Sequence, residues 1–380
     1  MSSTVLSSLG LPHIVLRGSP YERGRRYGEA ARDRIAHARG MYAKVFAHRA
    51  GLDWPEAVRR ALTYERAIGE FAPVCLDEMR GLAKGADIAW GDVMAINARS
   101  ELMYSHAGGG SAAAALSGEC TSFAVLPEAS ANHHTLVGQN WDWLPFALDT
   151  AVVLEVHRND LPSYITIAEA GHFSKVGFNA AGLGVCTNTL LSTRDQGADG
   201  VPYHSVLRSL MDATTISGAL RTIYAAPRAL SANYLLAHSD GQAVNVETTA
   251  GDASGVHVSL PQNGHLVHGN HFLAPHFAPL DARVAQYPDS IFRVDTMRRG
   301  LDAAGGAVSI AVAQATLRDH RNLPEAVCSH PDPLKNPLES RTTVISVVAD
   351  LEVGELWMTP GPPCESEYRR FDFSARFKGN

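Results

Sequence analysis

The chain has 380 residues, of which 45% are apolar and 19% are charged, and its formal net charge is −6 at pH 7. This length suffices for one large domain or two ordinary ones, and the composition is typical of a soluble globular protein. The acidic balance argues against a nucleic-acid partner, and no apolar run is long enough to span a membrane. Because neither a signal peptide nor a peroxisomal tripeptide is found at the ends, we expect a cytoplasmic protein.

The first hundred residues have the pattern of a helical region. Ser19 is a predicted N-cap, followed by proline at the first helical position. Asp53, with a glutamate three residues later, has the spacing of a capping box and predicts another helix start. Further helices are predicted up to about residue 100, with breaks at Gly85 and Gly91.

Residues 106–118, "HAGGGSAAAALSG", separate the helical region from the rest of the chain. Glycine and alanine dominate this tract and charged residues are absent from it, which predicts an exposed flexible linker. Four short strands are predicted next, between residues 120 and 170. A hairpin with Gly182 near its turn and two helices follow them.

The C-terminal part repeats this alternation of strands and helices. Asp240-Gly241 between two alternating runs predicts a second hairpin. Two strands, two helices over residues 289–320 and a last hairpin over residues 342–360 complete the chain. Strands joined as hairpins form antiparallel sheets, and paired helices cover sheet faces. The predicted fold class is therefore α+β, a layered sandwich.

The cysteines do not form a recognisable framework. Their number is odd, their spacing is wide and no CxxC occurs, which argues against disulfides and against a zinc cluster. Most are expected to be buried thiols that behave as small apolar residues. The five are Cys75, Cys120, Cys186, Cys328 and Cys364.

Cys120 differs from the other four because it begins a predicted strand directly after the Gly/Ala tract. A thiol needs a base to become a good nucleophile. A distant histidine is one candidate, and the chain has 17 of them. The other is its own α-amine, freed by cleavage of the bond between Glu119 and Cys120, since such an amine has a pKa of about 7.7–8.0. An exposed linker before Cys120 suits a bond that has to be cut.

Six blocks of the sequence, in order, resemble the isopenicillin N acyltransferase family of self-cleaving N-terminal-nucleophile (Ntn) hydrolases. They are "EMRGLAKGADI" with "INARSEL", "ECTSFAVLP" with "LVGQNWDW", "AEAGHFSKVGFNAAGLGV", "GVPYHSVLRSLMDA", "HLVHGNHF" and "ESRTTVISVV". The resemblance covers most of the chain. It implies a four-layer αββα sandwich, residues 120–380, preceded by a helical pre-segment, residues 1–119. It also implies that the two cleaved fragments remain associated as a heterodimer; a higher oligomer stays open.

The resemblance also implies roles for five residues. Cys120 matches the nucleophile, Asp142 an acidic residue of the catalytic group, and Asn270 the oxyanion-stabilising asparagine. Arg341 matches an arginine of the polar network, and Ser122 stands where the family often has threonine and is implied to assist cleavage. Each of the last four also has a purely structural interpretation: Asp142 as a turn cap, Asn270 as a turn residue, Arg341 as a surface arginine and Ser122 as a strand hydroxyl.

The sequence departs from the family at two places. Glu119 stands where the fungal acyltransferase has glycine, which adopts strained backbone conformations at lower cost. The peroxisomal tail of the fungal enzyme is missing. We therefore expect a substrate other than that of the fungal enzyme.

Four functions follow from these observations. The first is a self-processed amidase acting on a small N-acyl amide, with acyl transfer to an amine such as a β-lactam nucleus as its close alternative. The second is a bile-salt or penicillin V amidase-like enzyme, against which the long pre-segment argues. The third is a metal-dependent enzyme using His268, His271 and His276 or His133 and His134, whose spacing fits no zinc motif. The fourth is an uncleaved binding protein. We expect no cofactor and no metal.

Overall fold

The N-terminal region of the computed structural model is mainly helical, as predicted. The structure describes residues 10–104, 119–195 and 199–374, so the predicted linker, residues 106–118, lies outside the described residues. The elements of this region are strand β1 (His13–Leu16) and helices α1 (Pro20–Ala30), α2 (Arg32–Ala50), α3 (Trp54–Ala61), α4 (Glu65–Phe71), α5 (Pro73–Ala86), α6 (Trp90–Asn97) and α7 (Arg99–Tyr104). Ser19 and Asp53 cap α1 and α3 through their side chains, as predicted.

The prediction of helix breaks at Gly85 and Gly91 is wrong. Both glycines lie inside helices, and α5 ends at Ala86, followed by Asp87 with a φ of 58°. Gly85 serves packing instead, because a Cβ added there would lie 1.9 Å from the backbone oxygen of Arg25 in α1. Helices α1 and α5 thus approach backbone to backbone at four glycines: Gly24, Gly28, Gly81 and Gly85.

The strands form two sheets. The eight-stranded sheet has the order β1-β4-β5-β6-β7-β8-β9-β10, and the six-stranded sheet has the order β11-β2-β3-β12-β13-β14. The eight-stranded sheet contains β4 (Ala151–Val156), β5 (Tyr164–Glu169), β6 (Val176–Asn179), β7 (Leu183–Thr189), β8 (Ala232–His238), β9 (Gln242–Thr248) and β10 (Val256–Ser259). The six-stranded sheet contains β2 (Glu119–Val125), β3 (Leu136–Trp143), β11 (His265–His268), β12 (Thr342–Asp350), β13 (Glu355–Pro360) and β14 (Arg369–Asp372).

The sheets were predicted to be antiparallel throughout, and one pair is not. Strand β1 of the N-terminal region pairs with β4 in parallel, at the edge of the eight-stranded sheet. A parallel neighbour needs no hairpin, so the local pattern around β1 carries no signal for this pairing. The pre-segment is consequently not purely helical, because it contributes one strand to the sandwich.

The two sheets stack on each other and helices cover their outer faces. Strands β2 and β3 pack against β7 and β8 between the sheets. Helices α11 (Asp289–Asp302) and α12 (Ile310–Leu317) cover the six-stranded sheet through an apolar cluster that includes Phe123, Leu136 and Met297. Helix α10 (Ile216–Ala225) and the N-terminal helices lie on the side of the eight-stranded sheet. Two further helices are α8 (Ala147–Thr150) and α9 (Tyr203–Leu210). The predicted αββα sandwich is confirmed.

The helices of the described residues lack the features of a membrane span. None of them combines the length and the apolar character that crossing a bilayer requires.

The glycine contact between α1 and α5 can be tested by adding one methyl group. We expect Gly85→Ala to lower the free energy of unfolding by about 1–3 kcal/mol, because the new methyl overlaps the Arg25 carbonyl and forces the helices apart. Gly40→Ala is the matched control, since Gly40 lies in α2 with no atom within 4 Å of an added Cβ and should stabilise by about 1 kcal/mol. Urea unfolding of both variants measures the difference; equal midpoints for the two would contradict the packing role.

Candidate active site

Cys120 lies near the start of β2, in the interior of the six-stranded sheet. In the register between β2 and β3, Cys120 pairs with Trp141, and Glu119 pairs with Asp142. The backbone of Glu119 belongs to the strand, so the peptide bond predicted to be cut lies directly across from Asp142. Cys120 is only 4% exposed, so the thiol is covered in the uncleaved chain.

The backbone of Cys120 is held on both sides. Its nitrogen donates a hydrogen bond to Asn270 Oδ1 at 2.7 Å, and Arg293 Nη2 donates to the same oxygen at 3.2 Å. The carbonyl oxygen of Cys120 accepts from Asn188 Nδ2 at 2.9 Å and from Arg293 Nη1 at 3.0 Å. Two donors at Oδ1 fix the orientation of the Asn270 amide, whose Nδ2 donates to the carbonyl of Thr189 at 2.9 Å.

The charge around the Cys120 thiol is mixed. Burial raises the pKa of Cys120, the ammonium of Lys175 lowers it and the carboxylate of Asp142 raises it, with a net increase. Burial in turn lowers the pKa of Lys175 to about 8. The Lys175 Nζ lies 4.9 Å from the centroid of the Trp141 ring, so the ammonium is held against the residue that pairs with Cys120.

Asp142 is fully buried near the end of β3. Its Oδ1 accepts a hydrogen bond from Thr343 Oγ1 at 2.7 Å. Thr343 borders an irregularity in β12, because the pairing of β12 with β3 shifts register between Thr343 and Ile345. This irregularity is the kind of local bend that re-aims a side chain next to a functional site. Asp142 is therefore a strand residue held from the neighbouring strand and does not cap a turn.

Arg341 is buried and belongs to the same polar network. Its Nη2 lies 2.8 Å from Asp289 Oδ2, and the Arg293 Nε lies 3.0 Å from the same oxygen. The Arg341 Nε donates to Ser329 Oγ at 3.1 Å. Arg341 is thus connected to Cys120 through Asp289 and Arg293, and it is not a surface arginine.

Ser122 contacts the site through Asn188. It follows Cys120 by two positions on β2, which places both side chains on the same face of the strand. Ser122 Oγ donates to Asn188 Oδ1 at 2.7 Å, and Asn188 Nδ2 donates to the carbonyl of Cys120. The structure therefore gathers the other four predicted residues around Cys120, in direct contact or through one or two partners.

Sequence reasoning missed four residues of this arrangement: Lys175, Asn188, Asp289 and Arg293. Lys175 carried a usable signal, because it is the one Lys, Arg, Asp or Glu residue between Glu169 and Arg194. Such an isolated charge in an apolar hairpin is expensive to bury unless it has a function. The other three have ordinary sequence surroundings, and only the fold brings them to Cys120.

The histidines considered for a metal-dependent enzyme have other partners. The His268 Nε2 lies 2.8 Å from Glu247 Oε1, and the His271 Nδ1 lies 2.7 Å from Ser290 Oγ. His134 Nδ1 lies 2.8 Å from Asp350 Oδ2. In the part of the chain that the structure describes, neither histidine set gathers into a group of three metal-ligand side chains.

Comparison with known proteins gives one family and several relatives. A model of the acyl-coenzyme A:6-aminopenicillanic acid acyl-transferase family matches residues 129–359. The acyl-coenzyme A:6-aminopenicillanic-acid-acyltransferase 40 kDa form of Emericella nidulans is 27% identical over 322 residues, which cover 83% of this chain and 84% of that protein. A conjugated bile acid hydrolase from Clostridium perfringens aligns with a TM-score of 0.49 at 12% identity, over 67% of this chain and 93% of that one. Penicillin V acylase from Agrobacterium tumefaciens aligns with a TM-score of 0.44 at 15% identity, over 67% and 86%.

The charge of Lys175 should control the reactivity of Cys120. We expect Lys175→Met to raise the apparent pKa of the thiol and to slow its alkylation at pH 7 by about three- to tenfold, because a nearby cation stabilises the thiolate. Lys175→Arg is the control and should react like the unmodified chain. Since the pKa of Lys175 is about 8, the difference should shrink as the pH rises above 8 and the lysine loses its proton. Mass spectrometry of the Cys120 peptide measures the rate; no change in Lys175→Met contradicts this electrostatic role.

Proposed function

Because the chain belongs to the acyl-coenzyme A:6-aminopenicillanic acid acyl-transferase family, we propose that it is a self-processed Ntn amidohydrolase that cleaves a small N-acyl amide through an acyl-enzyme on Cys120. The observation that carries this proposal is the hydrogen bond from the Cys120 nitrogen to Asn270 Oδ1. That nitrogen is the atom that becomes the α-amine once the bond to Glu119 is cut. The nitrogen that is proposed to act as the base is therefore already held by Asn270 before the bond is cut.

Self-cleavage begins with the thiol of Cys120. Its sulfur attacks the carbonyl carbon of Glu119, the bond from that carbon to the Cys120 nitrogen breaks, and a thioester forms. The nitrogen takes up a proton and becomes an amine. Water then hydrolyses the thioester, which releases the Glu119 carboxylate and restores the thiol. Before the amine exists the thiol proton needs another acceptor, and Lys175, with a pKa of about 8, is suited to this role in its neutral form.

Turnover of substrate uses the same atoms in a second cycle. The freed amine takes the thiol proton, directly or through a water, and Cys120 attacks the substrate carbonyl. An acyl-enzyme forms, the amine product leaves with the proton, and water hydrolyses the thioester. Departure of Glu119 leaves its place opposite Asp142 open, and we assign that place to the acyl group of the substrate.

Asn270 has two proposed tasks. Its Oδ1 orients the Cys120 nitrogen, and its Nδ2 is the oxyanion donor that the family resemblance implies. Nδ2 donates to the Thr189 carbonyl in the uncleaved chain, so the second task requires an exchange of that partner for the substrate oxygen. Arg293 and Arg341 position Asn270 and Cys120, and Ser122 acts through Asn188.

The two fragments of the cut chain are proposed to stay together as a heterodimer. Strand β1 of the first fragment pairs with β4 of the second. Tyr42 donates to Glu169 Oε2 at 2.7 Å, and the Arg99 guanidinium lies over the Trp143 ring at 4.2 Å and 3.4 Å from Glu169. These contacts are buried and cross the boundary between residues 1–119 and 120–380, so cleavage leaves them in place.

Acyl transfer to an amine, such as a β-lactam nucleus, is the second candidate. It is favoured by the Emericella nidulans relative, which is an acyltransferase by name. Both reactions share the acyl-enzyme on Cys120 and differ only in whether water or an amine attacks it. Hydrolysis is the first choice because water needs no binding site of its own.

The nucleophile assignment can be tested on a denaturing gel. We expect Cys120→Ala to remain a single full-length chain without activity. It has no thiol to cut the chain, and without the cut no free α-amine forms. Cys75→Ala is the control, since Cys75 is a buried thiol in α5, away from the site, and this variant should be cut like the unmodified chain. Intact mass and N-terminal sequencing identify the fragments. An unmodified chain that stays whole, or a Cys120→Ala variant that turns over amides, contradicts the proposal.

The acceptor can be identified by varying the amine. Purified protein is incubated with a panel of N-acyl amides, with and without a small amine or a β-lactam nucleus. Under the hydrolytic proposal the carboxylic acid forms at a rate that the added amine does not change. If product forms only with the amine present, and as a new amide, acyl transfer is the function and hydrolysis is excluded.

A further inference from the structure

Four metal-ligand side chains gather outside the active site. His320 and the pair Cys328 and His330 lie in the segment between α12 and β12, and Cys364 follows β13. The two sulfur atoms and one nitrogen of each histidine all lie within 4.8 Å of one another. The spacing of these residues in the sequence matches no metal-ligand motif and predicts no metal; the fold assembles them from two separate segments.

The separations fit a tetrahedron around one ion. The Cys328 Sγ lies 3.6 Å from Cys364 Sγ and 3.6 Å from His330 Nε2. The His330 Nε2 lies 3.2 Å from His320 Nε2 and 3.2 Å from Cys364 Sγ. Zinc bonds of about 2.3 Å to sulfur and about 2.0–2.1 Å to nitrogen give tetrahedral edges of about 3.3–3.8 Å. Four of the six separations are therefore close to those of ligands that share one zinc, and the other two, from His320 to the sulfur atoms, are within 4.8 Å.

We propose that His320, Cys328, His330 and Cys364 bind a structural zinc ion. Two thiolates and two imidazoles in a tetrahedron are a donor set that zinc prefers. Four protein ligands complete the shell and leave no position for water or substrate, so the ion has no part in the amide chemistry. Binding releases the two thiol protons to solvent.

The carboxylate of Glu365, which lies beside one ligand of the cluster, supports the proposed zinc site. The other ring nitrogen of His330, Nδ1, lies 3.4 Å from Glu365 Oε1. A carboxylate on the far nitrogen of a ligating histidine fixes the ring orientation and raises its basicity. Cys328 itself is fully buried, and its backbone nitrogen donates to the carbonyl of Asp319 at 3.0 Å. Both features hold a ligand in one orientation.

A disulfide between Cys328 and Cys364 explains less. Their sulfur atoms are 3.6 Å apart, against about 2.05 Å in a disulfide, and both cysteines are free. A disulfide also gives no reason for two histidine nitrogens to converge on the sulfur atoms. The four-ligand arrangement accounts for all of them at once.

The proposed ion would stabilise the segment that supports the active site. Ser329, next to Cys328, accepts from Arg341 through Oγ, and its backbone nitrogen donates to Thr343 Oγ1 at 3.0 Å. Thr343 Oγ1 in turn donates to Asp142. The zinc site thus links residues 318–341 to the chain after β13. Its ligand Cys328 is adjacent to Ser329, which contacts both Arg341 and Thr343.

The test measures bound metal and does not depend on activity. Tag-free protein is purified without chelator, and zinc is quantified by mass spectrometry of the elements. We expect about one zinc per chain. We expect at least a tenfold loss of zinc content or affinity in His320→Ala and in Cys364→Ser, which change exposed positions that the fold tolerates. His37→Ala, an exposed helical histidine outside the cluster, is the matched control and should keep its zinc. Glu365→Gln should weaken binding by about 10- to 100-fold.

Cobalt provides a second readout of the ligands. Apo protein titrated with Co²⁺ should develop the absorption of a tetrahedral thiolate site, and the two ligand variants should not. The proposal is overturned if the unmodified chain binds neither Zn²⁺ nor Co²⁺, or if His320→Ala and Cys364→Ser hold as much zinc as the control. It is equally overturned if intact mass under non-reducing conditions shows the loss of two hydrogens and a Cys328–Cys364 linked peptide.

Discussion

The hydrogen bond from the Cys120 nitrogen to Asn270 Oδ1 is the contact on which the candidate site depends. A peptide nitrogen and an amine can both donate to this oxygen, so the same contact can serve the chain before and after the proposed cleavage. Arg293 strengthens it by donating to both Asn270 Oδ1 and the carbonyl of Cys120. Because Asp289 binds Arg293 and Arg341 through one oxygen, a buried charge network lies beside Cys120.

The sheet register explains why these groups meet. Strands β2 and β3 place Cys120 across from Trp141 and the preceding peptide across from Asp142, and a slip of one residue would turn every one of these side chains to the opposite face. Asn270 comes two residues after the end of β11, the other neighbour of β2, and Arg293 comes from the helix that covers this sheet. Neighbouring strands and one helix thus converge on the start of β2, and a site built on regular elements holds its geometry.

Local pattern was enough to predict the hairpins, most of the helices and an α+β layered sandwich, because turn residues and periodicity act over a few positions. The four-layer αββα arrangement was predicted from the family resemblance. It was not enough for β1, whose parallel partner lies far along the chain, or for Gly85, whose role depends on contact with α1. Family resemblance supplied Cys120, Asp142, Asn270, Arg341 and Ser122. It did not supply Lys175 or Arg293, and spacing argued against the histidine and cysteine cluster, because that cluster exists only once two segments have folded together.

The burial of Cys120 gives the proposed self-cleavage a physical purpose. In the intact chain the thiol is covered and its pKa is raised, and its nitrogen is tied up in a peptide bond that has no basicity. Lys175 is the cation that lowers the thiol pKa, and with its own pKa of about 8 it is partly neutral near pH 8. In the proposed cleavage the peptide nitrogen becomes a base beside the sulfur, and the place of Glu119 becomes free for an acyl group. Under this proposal the intact chain cannot turn over substrate, and the cleavage of a single bond supplies both the base and the space for the acyl group.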